Sequence, residues 1–189
     1  LIESESRLNV VEILDKKLLS KAKQIELVIF DVDGVLTNGG LILGENGNEY
    51  KVFHSRDGLG LLMLRESGCH VAVISGRSSG IVSERMTALG IEYVYQGRND
   101  KGRALEDLLD KLSIDAKATA YVGDDLIDLP AMRRVGLAIA VADAHALVVE
   151  HAHWTTKEIG GRGAAREVCE LIMHARGTLD SQIQHFLND

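Results

Sequence analysis

Residues 26–37 read ELVIFDVDGVLT, and this stretch decides which fold the chain adopts. Residues 27–30 form an apolar run rich in branched side chains, which is typical of a strand buried on both faces of a parallel sheet. Asp31 and Asp33 follow at once, and they point the same way if the strand continues. Gly34 allows the backbone to leave the sheet there. Because open α/β sheets bind ligands at the carboxyl ends of their strands, the two carboxylates predict a site at this edge.

A simple turn is the alternative interpretation of these acids, with Asp31 as a cap or turn former. Two carboxylates beside an apolar strand repel each other, however, and they need a cation or a proton nearby. We therefore prefer the interpretation as a site.

Strand-like and helix-like segments alternate at short spacing along the rest of the chain. This alternation predicts an α/β fold with three Rossmann-like layers, in which a parallel sheet carries helices on both faces. We expect a single domain over residues 1–189. The other predicted strands are residues 69–75, 93–95, 119–122, 137–141 and 153–156, and the predicted helices are residues 57–67, 80–89, 100–112, 126–135, 144–150 and 163–176.

Three further segments lie outside this alternation. Residues 7–23 have apolar side chains at helical spacing, which predicts an amphipathic helix within the N-terminal residues 1–25. Residues 38–53 carry short apolar runs on both sides of Asn46-Gly47, a strong signal for a β-hairpin. We expect this hairpin to project from the active-site end of the sheet. Residues 177–189 form the C-terminal tail.

The composition excludes several classes of protein. The chain has 189 residues, 46% of them hydrophobic, and a net charge of −7, which argues against nucleic acid as the main partner. No apolar stretch is long enough to cross a membrane. Cys69 and Cys169 lack the spacing of a zinc site, so we expect both to be reduced in the cytoplasm. Residues 1–8 lack the features of a secretion signal, and the first residue, Leu1, suggests that the native start is missing.

Polar residues also follow the later predicted strands. Ser75 ends the second strand, Asp124 and Asp125 follow the fourth, and Lys101 opens the helix between them. With the opening stretch and Asp128, their order and spacing resemble the four sequence motifs of the haloacid dehalogenase-like (HAD) phosphohydrolases. The resemblance covers essentially the whole core. It implies a phosphatase, because pumps of the same superfamily carry Thr where this chain has Asp33.

The resemblance also implies a division of roles. Asp31 is expected to be the nucleophile that forms an aspartyl-phosphate, while Asp33 protonates the leaving oxygen and then activates water. Ser75, the amide of Gly76 and Lys101 are expected to bind the phosphoryl oxygens.

Several ionised acids at one strand edge are not tolerable without a hard cation, and oxygen ligands beside phosphate suit Mg²⁺. The resemblance implies that Asp31, Asp124 and the backbone carbonyl of Asp33 hold this ion. Asp125 and Asp128 are expected to support them or to orient Lys101.

Most HAD enzymes carry a cap domain, but this chain has little room for one between Asp31 and Ser75 or between Ser75 and Lys101. We therefore expect no cap domain. Such a site either accepts a large substrate or is closed by a neighbouring subunit.

Four motifs narrow the expected substrate: FHSRDGLG at residues 53–60, ISGR at 74–77, GDDLIDLPAM at 123–132 and GGRGAAREVCELI at 160–172. They closely resemble the family of 3-deoxy-D-manno-octulosonate 8-phosphate (KDO 8-phosphate) phosphatases. The resemblance implies a Mg²⁺-dependent homotetramer in lipopolysaccharide precursor synthesis, with hairpins and tails that complete neighbouring sites. Arginines are well suited to the sugar carboxylate because they donate in a fork. The expected substrate-binding residues are Asp33, His54, Ser55, Arg56, Asp57, Gly58, Gly76, Arg77, Arg85 and Lys101.

Two alternatives stay open. One is a phosphatase for another sugar acid, such as a nine-carbon sialic acid 9-phosphate. The other is a noncatalytic HAD-like oligomerisation module, which the intact set of acids argues against. Residues 160–163, GGRG, lack the setting of a dinucleotide-binding loop, so we expect only a flexible entry to the last helix.

Overall fold

A computed structural model describes residues 16–188. Its strands are β1 (Leu27–Phe30), β2 (Ile42–Leu43), β3 (Glu49–Tyr50), β4 (His70–Ile74), β5 (Tyr93–Tyr95), β6 (Thr119–Gly123), β7 (Leu137–Ala140) and β8 (Trp154–Thr155). Six of them form one parallel sheet in the order β5-β4-β1-β6-β7-β8, whereas β2 and β3 pair separately. The predicted α/β fold is confirmed.

The helices occupy both faces of this sheet. They are α1 (Lys16–Lys23), α2 (Ser55–Glu66), α3 (Gly80–Ala88), α4 (Lys101–Leu112), α5 (Leu129–Met132), α6 (Ala146–His151), α7 (Ala164–Arg176) and α8 (Leu179–His185). Within residues 16–188, no further domain is inserted between these elements. None of these helices is long and apolar enough to cross a bilayer.

The two faces of β1 supply the two halves of the core. Val28 and Phe30 pack into the cluster that contains α2 and α7, whereas Leu27 and Ile29 pack into the cluster that contains α4 and α5. All four side chains are fully buried, and each such burial contributes about 1.5–3 kcal/mol. This double burial explains why β1 reads as a continuous apolar run and why it lies at the centre of the sheet.

The predicted hairpin is confirmed, although its strands are short. Ile42 pairs with Tyr50, and Leu43 pairs with Glu49. Asn46 and Gly47 both adopt positive φ values, 61° and 78°, which asparagine and glycine tolerate better than other residues. Leu43 at the tip is 72% exposed, so the hairpin does not pack on the sheet through this side chain.

Three expectations about helices need correction or limits. The helix predicted at residues 126–135 is instead a 3₁₀ turn, Leu126–Asp128, followed by the short α5, because Asp125 and Asp128 cap the turn and Pro130 starts a new helix. The C-terminal tail contains α8. Of the N-terminal helix expected at residues 7–23, the structure describes α1, and residues 1–15 lie outside the described part.

The glycine-rich stretch at residues 160–163 was expected to be a flexible entry, which is wrong. The N–H of Gly161 donates to the Val35 carbonyl at 2.8 Å, and the N–H of Gly160 donates to Asp143 Oδ1 at 2.9 Å. A methyl group on Gly160 would overlap the Gly34 carbonyl. These glycines allow the chain to pack directly against the turn that follows β1.

Candidate active site

Three adjacent strands bring polar residues to one edge of the sheet. Asp31 follows β1, Ser75 follows β4 and Asp124 follows β6. The backbone N–H of Asp31 donates to the Val122 carbonyl at 3.0 Å, so the nucleophile candidate is still held in register with the sheet. Because β1 lies between β4 and β6, these residues meet around the centre of the sheet.

Lys101 is the cation of this site. Its Nζ lies 2.8 Å from Asp31 Oδ1 and 2.6 Å from Asp128 Oδ1, and its side chain is only 1% exposed. Burial works to lower the pKa of Lys101, but the carboxylates of Asp31 and Asp128 outweigh it and raise that pKa. Lys101 therefore stays charged, and α4, capped by Asp100 through the Arg103 N–H, presents it to the site.

Asp128 holds the site together and has no free oxygen. Its Oδ1 accepts from Lys101 and, at 2.9 Å, from the hydroxyl of Tyr121, while its Oδ2 accepts from the backbone N–H groups of Asp124 and Asp125 at 3.0 and 3.3 Å. Asp128 therefore fixes both Lys101 and the loop of Asp124. Sequence reasoning missed Tyr121, because a tyrosine in a strand is usually a core residue.

Three acids come close enough to hold a metal ion. One carboxylate oxygen each from Asp31, Asp124 and Asp128 lies within 4.8 Å of the others. Burial, followed by the charge of Asp128, raises the pKa of Asp31 to about 6 even against the attraction of Lys101. Burial, followed by the charges of Asp31 and Asp128, raises the pKa of Asp124 to about 8. The cluster therefore retains negative charge only at a cost that a cation would remove.

The donor set fits a hard divalent cation. Oδ1 of Asp124 is buried and has no hydrogen-bond partner, which leaves it available as a ligand. Gly34 lies against the Asp124 carboxylate so closely that a methyl group there would overlap it. Carboxylate and carbonyl oxygens are the ligands that Mg²⁺ prefers. Asp125, in contrast, is exposed, and its Oδ1 accepts from the N–H of Leu126 at 2.7 Å to cap the following turn.

Asp33 has a different cation partner from Asp31, and the strand does not continue to either residue. The strand ends at Phe30, and the amides of Val35, Leu36 and Thr37 then turn back to the Val32 carbonyl. The Asp33 carboxylate contacts the ammonium of Lys51, beside the hairpin. Asp31 is thus paired with Lys101 in the acid cluster, whereas Asp33 is paired with a residue that follows the hairpin.

Arg77 and Asp57 have protein partners in this structure. Nη2 of Arg77 donates to Glu49 Oε1 at 3.0 Å, so part of its guanidinium is already occupied. Asp57 is buried, and its two oxygens accept from the N–H groups of Gly163 and Arg166 at the start of α7. The geometry therefore gives Asp57 a structural task.

Of the remaining candidates, two lie at the surface and two line a small cavity. Ser55 and Arg56 are exposed at the start of α2. Arg85 and His54 line a small cavity, where the Arg85 guanidinium lies against Gly58. His54 Nδ1 is buried without a hydrogen-bond partner and lies 3.7 Å from Asp57 Oδ2.

Ser75 and Gly76 follow β4 at the site. Ser75 is buried, and its Oγ accepts from the Arg77 N–H at 3.3 Å. Gly76 lies beside Ile127.

The fold and this cluster of acids around a buried lysine define a haloacid dehalogenase-like hydrolase. Residues 90–167 match the family profile of that description. The 3-deoxy-D-manno-octulosonate 8-phosphate phosphatase of Escherichia coli (strain K12) is 50% identical over 163 residues, which cover 86% of this chain and 87% of that protein. The chain belongs to the KDO 8-phosphate phosphatase family.

Solved structures agree with this assignment. The KDO 8-phosphate phosphatase of Moraxella catarrhalis, in complex with a magnesium ion, a phosphate ion and KDO, is 43% identical, with a TM-score of 0.89 over 92% of this chain and 99% of that chain. The cobalt-bound enzyme of Haemophilus influenzae is also 43% identical, with a TM-score of 0.84 over 88% of this chain and 99% of that chain.

Proposed function

We propose that this protein hydrolyses KDO 8-phosphate to KDO and inorganic phosphate, in a Mg²⁺-dependent reaction that serves lipopolysaccharide precursor synthesis. One observation carries the proposal: buried Lys101 bridges Asp31 and Asp128 beside an unpartnered oxygen of Asp124. A noncatalytic module has no need to keep two acids and a lysine buried together beside a third acid. The relatives named above have this activity in their names, which supports the same substrate here.

The first chemical step transfers the phosphoryl group to the protein. A carboxylate oxygen of Asp31 attacks phosphorus while the bond from phosphorus to the sugar oxygen breaks, and that oxygen takes a proton from Asp33. Ser75, the Gly76 amide and Lys101 bind the phosphoryl oxygens, and Lys101 offsets part of their charge.

The second step releases phosphate. Asp33 takes a proton from a water molecule as the water oxygen attacks phosphorus, and the bond from phosphorus to Asp31 breaks. Phosphate leaves, and Asp31 is again a carboxylate. Asp31, Asp124 and the Asp33 carbonyl are the residues that would hold Mg²⁺, which when bound neutralises the phosphoryl charge and the charge of the acids.

The sugar carboxylate requires a donor outside this cluster. Arg56, exposed at the start of α2, is our first candidate, with His54 and Ser55 beside it. To bind the sugar carboxylate, Arg77 would have to give up its hydrogen bond to Glu49, and Arg85 would have to move from its position against Gly58.

Phosphate release from purified KDO 8-phosphate, with Mg²⁺ and with a chelator, tests this function. We expect turnover with Mg²⁺ and none with the chelator. A panel of esters that includes sialic acid 9-phosphate decides the substrate. If the nine-carbon ester is hydrolysed faster, it replaces KDO 8-phosphate as the proposed substrate. If neither ester is hydrolysed, the result favours a noncatalytic module.

We also propose a homotetramer in which the hairpins complete neighbouring sites. The hairpin exposes large apolar side chains that a second subunit would cover: Leu41, Ile42, Leu43, Tyr50 and Val52. A monomer by light scattering at working concentration would contradict this proposal. Both cysteines are buried and free, which supports a reducing compartment, the cytoplasm.

A further inference from the structure

Lys51 is a buried cation that the reaction described above does not use. It follows β3 directly, and its side chain is only 1% exposed although the neighbouring hairpin is open to solvent. Its ammonium contacts Oδ1 of Asp33 and lies 3.3 Å from Oε1 of Glu49. A lysine is rarely buried to this degree unless carboxylates compensate its charge.

Arg77 closes these contacts into a ring of alternating charges. Its Nη2 lies 3.0 Å from Glu49 Oε1, and its Nε lies 3.7 Å from Asp33 Oδ2. The ring, formed by Asp33, Lys51, Glu49 and Arg77, joins the turn after β1, the hairpin and the loop after β4. It therefore couples the hairpin to the two loops that form the site.

The two oxygens of Asp33 differ in their surroundings. Oδ1 is held by Lys51, whereas the nearest ion-pair partner of Oδ2 is Arg77 Nε at 3.7 Å, beyond hydrogen-bond distance. Holding one oxygen of a carboxyl group fixes the plane of the whole group. Oδ2 is then the oxygen that remains available to exchange a proton with substrate.

We propose that Lys51 is a positioning residue, which holds Asp33 by Oδ1 so that Oδ2 faces the leaving oxygen of the sugar phosphate. The inference rests on the proposed phosphatase function and adds to it a residue of the hairpin. Oδ2 gives its proton to the sugar oxygen as the phosphorus–oxygen bond breaks, and it takes a proton from water in the second step. A displacement of about 1 Å in such a group costs roughly 100-fold in rate.

Two phosphate esters separate positioning of the acid from a general structural role. The leaving oxygen of KDO 8-phosphate needs a proton, whereas p-nitrophenolate departs without one. Lys51→Met should therefore lower the single-turnover rate of phosphoryl transfer from KDO 8-phosphate to the protein about 10- to 100-fold. We expect the single-turnover release of p-nitrophenolate from p-nitrophenyl phosphate to slow by less than about threefold, because that leaving group needs no proton from Asp33 in the first step. The second step needs Asp33 with either ester, so only the first step separates them.

The control is Lys23→Met, on the exposed surface of α1, which should leave both rates unchanged. Lys51→Arg keeps a positive donor and should stay near the wild-type ratio of the two rates. Thermal melting is recorded for each variant, and Lys51→Gln replaces Lys51→Met if the latter does not fold.

Equal losses in the single-turnover rate of the first step on both esters in a folded Lys51 variant would overturn the positioning role, as would unchanged rates on both. A wild-type protein that hydrolyses neither ester would overturn the proposed function, and the inference with it. If the wild-type protein hydrolyses both esters but the Lys51 variant loses the same amount on each, only the inference is overturned and the proposed function stands.

Discussion

Asp31 is the proposed nucleophile, so we expect turnover to depend on this residue more than on any other. Asp31→Asn should lower phosphate release at least about 1,000-fold, since an amide cannot form the aspartyl-phosphate. The fold should survive, because the amide keeps the volume and its oxygen can still accept from Lys101. Phosphate release and thermal melting check both statements, with the exposed Asp107→Asn as control. Retained activity would remove Asp31 as the nucleophile.

The acid cluster predicts a specific pH dependence of metal binding. Folding raises the pKa of Asp31 from 3.8 to about 6 and that of Asp124 from 3.8 to about 8, so these groups stabilise the metal-free fold at low pH and less as pH rises through those values. A cation needs the deprotonated carboxylates. Mg²⁺ should therefore raise the melting temperature more at pH 8 than at pH 6.

The measurement is the difference between melting temperatures with Mg²⁺ and with a chelator, at each pH. Taking this difference at one pH removes the contribution that titrating groups elsewhere in the chain make to the melting temperature. Asp124→Asn should reduce the Mg²⁺ effect at pH 8. The same Mg²⁺ effect at both pH values would show that these carboxyls are not the ligands.

At the scale of elements, the glycine pair at residues 160–161 fixes the turn after β1. Gly160→Ala places a methyl group against the Gly34 carbonyl, and Gly34 in turn lies against Asp124. We expect a loss of about 1–3 kcal/mol in the free energy of unfolding, typical of overpacking. Urea unfolding measures it, and weaker Mg²⁺ binding should accompany it.

Gly80→Ala is the matched control, because Gly80 lies at the start of α3 with no atom near the added methyl group. It should be neutral or slightly stabilising, since alanine reduces the freedom of the unfolded chain. Equal losses in both variants would mean that the contact with Gly34 is unimportant.

The hairpin and the glycine-rich stretch show which structural features local sequence can predict and which it cannot. The Asn46-Gly47 pair correctly predicted a hairpin, because the turn depends on the φ values of its own residues. The GGRG stretch was misread, because its glycines are required by a contact with residues more than a hundred positions earlier in the chain. Local composition carries no information about such a contact.

At the scale of the whole molecule, the exposed hairpin predicts how subunits assemble. A double variant, Ile42→Lys with Leu43→Glu, places charges on side chains that are 51% and 72% exposed. It should reduce the proposed tetramer to smaller species because charged groups are costly to bury at an interface. Light scattering measures the mass, and Val149→Lys, exposed on α6, is the control. An unchanged mass would exclude the hairpin as the contact.

Much of the molecule follows from the sequence alone. The alternation of apolar strands and amphipathic helices determined the parallel sheet, because burial of those side chains has few solutions. It also determined that Asp31, Ser75 and Asp124 lie at one edge, since the carboxyl ends of parallel strands share an edge. Lys101 and Asp128 joined them through the position of their helix and turn.

Only the tertiary structure decided how the side chains pair. Asp33 pairs with Lys51, Tyr121 donates to Asp128, and Arg77 donates to Glu49. Such pairings depend on distances between segments that are far apart in the chain, and on the burial that makes an unpaired charge costly. Strand order is decided by many apolar residues together, whereas the partner of one charge is decided by the few atoms that surround it after folding.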